Sequence, residues 1–408
     1  MRKSLNHLFN QLLQYSTYNS IIVFTTKTCV HHTETLRASI WYHCTKERGI
    51  VMGLKVGLLG VGPVGDHIIH VLRERAFPID GNITVMATRE RDEILDGKPT
   101  HVLKISENLF KDLDLIFFAG KEGAKGASLQ WAETAVKNGC VVIDNGGDLR
   151  MYPCYPLVVP EINMDVVTRD TRLICNPNCS TIQMVVALYP LHKVARLRRV
   201  IVSTYQSVSG HGGSAMEQLK KETTEMLSGI SPEQNPSIFA HPIAFDCIPH
   251  IDRFVQNGYT RKEMKMVNET RKIFGDPDLL ISATTVRVPV LVGHGESINA
   301  EFIEPMHANK AIEILSDVKR SPGVVCIDGH NNDKVATEIR SDSFERCYPV
   351  VADLAKDKWC DSVLVGRIRD DMTAPNCINL WCVSDNLRKG AATNAVQIAE
   401  CMLERGLL

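Results

Sequence analysis

The chain has 408 residues, 44% hydrophobic and 23% charged, with a formal net charge of −1. That length and balance suit two globular domains and argue against extended disorder, and a near-neutral charge without acidic or basic blocks points to a small-molecule partner rather than nucleic acid. No apolar run of about 18 residues marks a membrane span.

The 13 cysteines are odd in number and irregular in spacing. In a chain this large they read as free thiols of a reducing cytoplasm, and no pair of C-x2-C units suggests a metal.

Residues 1–51 show neither helical nor strand periodicity. They read as an N-terminal extension, either a targeting segment or sequence ahead of a true start at Met52, which directly precedes the apolar Gly53-Leu54-Lys55-Val56-Gly57. A strand from Lys55, a glycine turn and a helix over 66–75, with Ile68, Ile69 and Leu72 on one face, open a βαβ unit. Strands follow at 83–87, 113–119 and 141–144, with a helix over 128–138 between the last two. This alternation predicts an α/β fold with a Rossmann-type parallel sheet. Beyond Cys179 a helix over 181–191 leads into strands at 200–207, 282–289 and 297–302, which predicts an α+β second domain on a mixed sheet. A last amphipathic helix over 391–403, with Val396, Ala399 and Leu403 on one side, is expected to return to the first domain. The domains are therefore expected at 52–178 with 385–408, and at 179–384.

Gly60-Val61-Gly62-Pro63-Val64-Gly65 fits G-x-G-x-x-G between a strand and a helix, the context in which backbone amides meet a dinucleotide pyrophosphate. The second strand ends in Thr88, Arg89 and Arg91 without the carboxylate that binds a ribose 2′-hydroxyl. Donors and positive charge there suit the 2′-phosphate of NADP. Further on, Cys175-Asn176-Pro177-Asn178-Cys179-Ser180-Thr181 sets a cysteine in the first turn of a helix, where the helix end favours a thiolate.

Asn-Pro-Asn-Cys-Ser-Thr around Cys179, then 205–210 (Tyr-Gln-Ser-Val-Ser-Gly), then Arg287 through His294, occur in the order seen in aspartate-semialdehyde dehydrogenases. The resemblance runs from about Lys55 to the C-terminus, through Phe77-Pro78, residues 143–145, 159–163, 264–272 and 387–400. It implies NADPH-dependent reduction of L-aspartyl 4-phosphate in lysine, methionine, threonine and isoleucine synthesis, by a homodimer joined through the second domain. On that resemblance Cys179 is the nucleophile that forms a thioester and His294 the acid/base. Gln206 holds substrate and nucleophile in register, Arg287 grips the α-carboxylate, and Arg150 and Lys265 receive the phosphoryl group. Residues 61–64, Thr88, Arg89, Ser209, Gly210 and Asn386 fall on the family's cofactor contacts.

Three features depart from the family pattern. The glycine turn lacks the usual threonine, and Pro63 supplies no amide donor. Asn145-Gly146-Gly147-Asp148 replaces a usual Asn-Ser-Ser. Lys262 stands where a glutamate commonly meets the substrate's amino group; a cation there repels an ammonium, and Glu263 is the neighbour that would have to take over. A related N-acetylglutamyl-phosphate reductase and a catalytically silent paralogue are the alternatives these departures leave open.

Overall fold

In a computed structural model, residues 53–120, 123, 126–232, 238–328, 348–356 and 358–408 are described. The extension at 1–51, and with it the question of a start at Met52, lies outside the described residues.

The first sheet is built on short apolar runs. β1 (Val56–Leu59), β5 (Leu115–Phe118) and β6 (Val141–Asp144) are buried at every position, as strands covered on both faces must be. β1 pairs in parallel with β2 (Thr84–Ala87) and with β5, and β6 pairs in parallel with β5 and with β7 (Leu173–Cys175). Outside β2 lies a hairpin, β3 (Arg91–Leu95) and β4 (Lys98–Lys104), giving the order β3-β4-β2-β1-β5-β6-β7. The hairpin turns on Asp96-Gly97, both at positive φ, an Asp-Gly pair of the kind that closes tight hairpins.

Helices α1 (Pro63–Glu74) and α2 (Ala127–Lys137) flank this sheet. The order β4-β2-β1-β5-β6-β7 is the doubly wound plan, which puts a ligand crevice at the carboxyl end of β1, where the glycine turn lies.

The second sheet consists of β8 (Leu197–Gln206), β9 (Leu280–Arg287), β10 (His294–Phe302), β11 (Val324–Cys326), β12 (Val363–Asp370) and β13 (Cys377–Ser384). Its order is β11-β12-β13-β10-β8-β9. Parallel pairs at β8–β9 and β11–β12 flank antiparallel ones, so the sheet is mixed, as expected.

Between the sheets runs α3 (Cys179–Ala195), buried nearly all round through Ile182, Met184, Val185, Leu188 and Leu191. One apolar core contains these residues together with Leu59 and Ile116 of the first sheet and Val200 and Val365 of the second. α3 is thereby fixed from both sides, and so is the cysteine at its start.

A further helix, α4 (Gly213–Leu227), follows β8, and the chain later returns through a π-helical turn, Arg388–Ala392, into the C-terminal helix Thr393–Glu404. Val396, Ala399 and Met402 join Val56, Leu58, Ile68 and Leu72 in the core of the first sheet. Arg75 clamps this helix through Glu400 with bonds of 2.9 and 2.8 Å.

Candidate active site

Cys179 is the first residue of α3. Asn178 is its N-cap, and the Asn178 side-chain oxygen accepts the amides of Ser180 and Thr181 at 3.2 and 3.4 Å. The cap fixes the entry of the chain, and the half-buried Cys179 Sγ emerges 3.3 Å from His294 Nε2. Burial works against the thiolate, but Lys262 and His294 outweigh it and hold the thiol well below its ordinary range. Cys140 and Cys175 show the opposite: burial pushes Cys140 up to about 11 and Cys175 higher still, as for inert core thiols.

Sheet register delivers the partners. Tyr205 lies opposite Gly295 in the β8–β10 pair, and Gln206 lies beside Arg287 in the β8–β9 pair, so His294, Gln206 and Arg287 form one row across the sheet. Ser207 donates its amide to His294 Nδ1 at 3.1 Å. An acceptor at Nδ1 places the neutral ring's proton on Nε2, facing the sulfur.

Arg287 is 3% exposed and donates to the Ser207 carbonyl at 2.6 Å. Among the described residues no carboxylate pairs with it, and burial pulls its pKa down to about 10 while Cys179 pulls it back up. A buried guanidinium beside the nucleophile and without an acidic partner is suited to a substrate carboxylate. Gln206 donates to Thr204 Oγ1 at 3.0 Å, and its buried Oε1 has no partner among the described residues.

The Gly210 backbone closes in on this row: a Cβ there would lie 3.2 Å from the Arg287 guanidinium and 3.5 Å from the His294 ring. Ser209 bonds to Asn386, whose Oδ1 also accepts from the Gly293 amide at 2.8 Å and the Ser207 hydroxyl at 3.0 Å. Asn386 thus ties the loop before His294 to the loop after β8. Gly390, in the π-helical turn, packs so closely that a Cβ would stand 2.9 Å from Cys179 Cβ.

Arg150 approaches from a different side, and Lys265 is half-buried on the helix Arg261–Phe274. Arg150 is buried, donating to Glu269 at 3.0 Å and to the Asn145 carbonyl at 2.8 Å. Glu269 uses its other oxygen to accept the Asn178 amide at 2.7 Å, and so joins Arg150 to the N-cap of the nucleophile's helix. Glu269 lies on α5 (Arg261–Phe274) four residues after Lys265 and seven after Lys262, on one helical face. That spacing was the signal in the sequence that would have revealed it.

Gly146 also has a cause. A Cβ on Gly146 would lie 2.3 Å from Ser128 Oγ, because Ser128 and the Gly146 amide both bond Asp144 Oδ1 at 2.8 Å. Asp148, the added negative charge, accepts the Gly123 amide at 2.7 Å and lies 3.5 Å from Arg261.

Glu263 is not available to a substrate. Its carboxylate accepts the Thr260 amide at 2.6 Å in a capping box and the Thr285 amide at 2.9 Å. It therefore does not replace the glutamate that Lys262 displaces.

The glycine turn fits a dinucleotide. Gly60 takes φ +112°, and a Cβ there would meet Ala119 at 2.6 Å; a Cβ on Gly65 would meet the Gly60 carbonyl at 2.1 Å. Gly62, the N-cap of α1, faces open space, and no side chain caps that helix, so its amides point toward the crevice. Thr88 and Arg89 are exposed just past β2. Arg91 is turned away, bonded to Glu93 and to the Arg89 carbonyl.

A doubly wound nucleotide-binding sheet and a mixed-sheet domain, meeting at a cysteine paired with histidine, define a dehydrogenase that works through a thiol. Residues 55–169 match the NAD binding domain of semialdehyde dehydrogenases, and residues 188–389 match their dimerisation domain. The aspartate-semialdehyde dehydrogenase of Aquifex aeolicus is 42% identical over 363 residues, covering 88% of this chain and all of that one. Aspartate-semialdehyde dehydrogenase 2 of Vibrio cholerae is 41% identical over 84% of this chain and 95% of its own. The crystal structure of aspartate semialdehyde dehydrogenase II from Vibrio cholerae superimposes with a TM-score of 0.76 at 39% identity, over 86% of this chain and 99% of that one. The same Vibrio enzyme has been solved complexed with ASA. The chain belongs to the aspartate-semialdehyde dehydrogenase family.

Proposed function

We propose that the chain reduces L-aspartyl 4-phosphate to L-aspartate 4-semialdehyde with NADPH, through a thioester on Cys179, in lysine, methionine, threonine and isoleucine synthesis. The observation that carries this reading is Cys179 Sγ at a helix start, 3.3 Å from His294 and beside the buried Arg287.

Cys179 attacks the acyl carbon as a thiolate: its lone pair forms the C–S bond, and the C–O bond to phosphate breaks with its electrons on the leaving oxygen. His294 presents its Nε2 proton to the sulfur and is the donor available to the oxyanion formed during attack. Arg287 binds the substrate's α-carboxylate, and Gln206, with its unpartnered buried Oε1, orients the acyl group. Arg150 and Lys265 take the phosphoryl group, with Arg150 held rigid by Glu269.

When bound, NADPH supplies the hydride that converts the thioester to the aldehyde. Residues 60–65 would hold its pyrophosphate, Thr88 and Arg89 its 2′-phosphate, and Ser209, Gly210 and Asn386 its nicotinamide end. The nucleotide-binding unit is 52–178 with 385–408, and the catalytic and dimerisation unit is 179–384.

A homodimer is supported by the second sheet's outer face, where Ile201 and Tyr205 on β8 are 43% and 39% exposed. No helix among the described residues is long and apolar enough to cross a membrane. Cytoplasmic residence follows from the biosynthetic role. The assembled Cys179–His294–Arg287 row disfavours a silent paralogue, and the relatives' names disfavour the acetylglutamyl-phosphate reaction.

The test is an absorbance assay of NADP reduction with aspartate semialdehyde and phosphate. The wild-type protein is expected to turn over and Cys179→Ala to stay at background; background rates in both would refute the reading.

A further inference from the structure

Lys262 reaches into the site from α5, and its Nζ lies 3.7 Å from Cys179 Sγ. Among the described residues no carboxylate pairs with this ammonium. Its neighbour Glu263 is committed to the Thr260 and Thr285 amides. The sulfur is thus the anionic partner the fold offers Lys262.

The hydrogen bonds of His294 sharpen the point. With Nδ1 accepting the Ser207 amide at 3.1 Å, the neutral ring already carries its proton on Nε2, the atom facing the sulfur. In this arrangement His294 donates toward Cys179 and has no lone pair on that side to remove a thiol proton. A thiolate here needs a full positive charge from elsewhere.

The other groups around the sulfur do not provide it at contact. Arg287 commits a guanidinium nitrogen to the Ser207 carbonyl. His211, near both Arg287 and Lys262, is held below its ordinary range by burial and then by those cations. Glu296, two residues along β10 from His294, is pushed well above the carboxylate range by burial and by Cys179, with Lys262 among the groups that pull it back down.

We propose that Lys262 is a catalytic residue that pairs directly with the Cys179 sulfur and keeps the nucleophile ionised in the free enzyme. The proposal rests on Cys179 being the nucleophile. It gives Lys262, read from the sequence as an obstacle to a substrate ammonium, a function of its own. The thiolate is ready before substrate arrives, and the C–S bond forms with no proton moving from sulfur at that step. Once sulfur is acylated, Lys262 loses its partner anion.

The test is the rate of iodoacetamide labelling of Cys179 against pH, in the full-length protein without substrate. Labelling is read by peptide mass spectrometry, so that the exposed Cys154 and Cys247 are counted separately. Wild type and Lys262→Arg are expected to plateau below neutral pH. In Lys262→Met the inflection should rise by about 1–3 pH units, the effect of removing an opposite charge at contact range. Thermal melting of each variant reports folding.

Superimposable wild-type and Lys262→Met profiles would overturn the proposal. So would a Lys262→Arg profile matching Lys262→Met while both melt like wild type. This readout involves no turnover. Failure of the broader function would instead appear as labelled Cys179 in an enzyme that still turns over.

Discussion

Replacing Glu269 by glutamine removes one charge and almost no volume at a point where two parts of the site are joined. Its two oxygens serve Arg150 at 3.0 Å and the Asn178 amide at 2.7 Å. The pair is deeply buried, with side-chain exposures of 6% for Arg150 and 1% for Glu269. Glutamine keeps one acceptor, so its amide NH2 must face one of the two donors, and Arg150 loses the carboxylate it donates to at 3.0 Å. Removing one member of such a pair costs about 3–5 kcal/mol, far more than the 0–1 kcal/mol or so of an exposed bridge. Urea unfolding at matched protomer concentration measures it, with the midpoint shifted and the slope unchanged. The double variant Arg150→Met with Glu269→Met should recover much of the loss, since no buried charge is left unpaired. A loss below about 1 kcal/mol in Glu269→Gln would refute the buried-pair reasoning.

Arg287→Lys keeps the charge but loses the planar fork, and kcat/KM for aspartate semialdehyde is expected to fall about 10- to 100-fold, chiefly through KM. Steady-state kinetics with an unchanged KM would contradict its role as carboxylate grip. Gly390→Ala places a methyl group 2.9 Å from Cys179 Cβ, and should abolish turnover while circular dichroism stays that of wild type. Normal activity would show that the π-helical turn yields without moving the sulfur. Arg89→Ala is expected to raise KM for NADPH and leave KM for NADH unchanged; a parallel change in both would place the 2′-phosphate elsewhere.

β1, β2, β5 and β6 of the first sheet were legible because they are short apolar runs, the first followed by a glycine turn, and such runs have one comfortable home, covered on both faces. The reactive cysteine was legible because its chemistry depends on a local feature, a helix start after Asn-Pro-Asn. The Asp96-Gly97 hairpin was missed although its turn pair is a strong local signal, because β3, Arg-Asp-Glu-Ile-Leu, is too polar to read as a strand. α5 announces itself with Thr260, Glu263 and Gly275, a capping box and a left-handed cap, and Lys262 and Glu263 were legible as neighbours on a helix.

What the sequence could not show was pairing at a distance. The Ser207 amide and His294 are 87 residues apart, and they meet only because β8 and β10 take one register. Lys262 was read against a substrate that is absent from the sequence, while its contact with Cys179 depends on how α5 packs 83 residues away. Gly146 looked like a lost hydroxyl; its cause is Ser128 and Asp144 filling the space a side chain needs.

The central claim is that one sulfur, Cys179 Sγ, carries the acyl group. Incubating the enzyme with L-aspartyl 4-phosphate in the absence of NADPH, quenching in acid and mapping peptides by mass spectrometry tests it directly. A single aspartyl group on the Cys179 peptide, absent in Cys179→Ala, is the expected result. An acyl group on another residue, or none in an enzyme that turns over normally once NADPH is added, would contradict it.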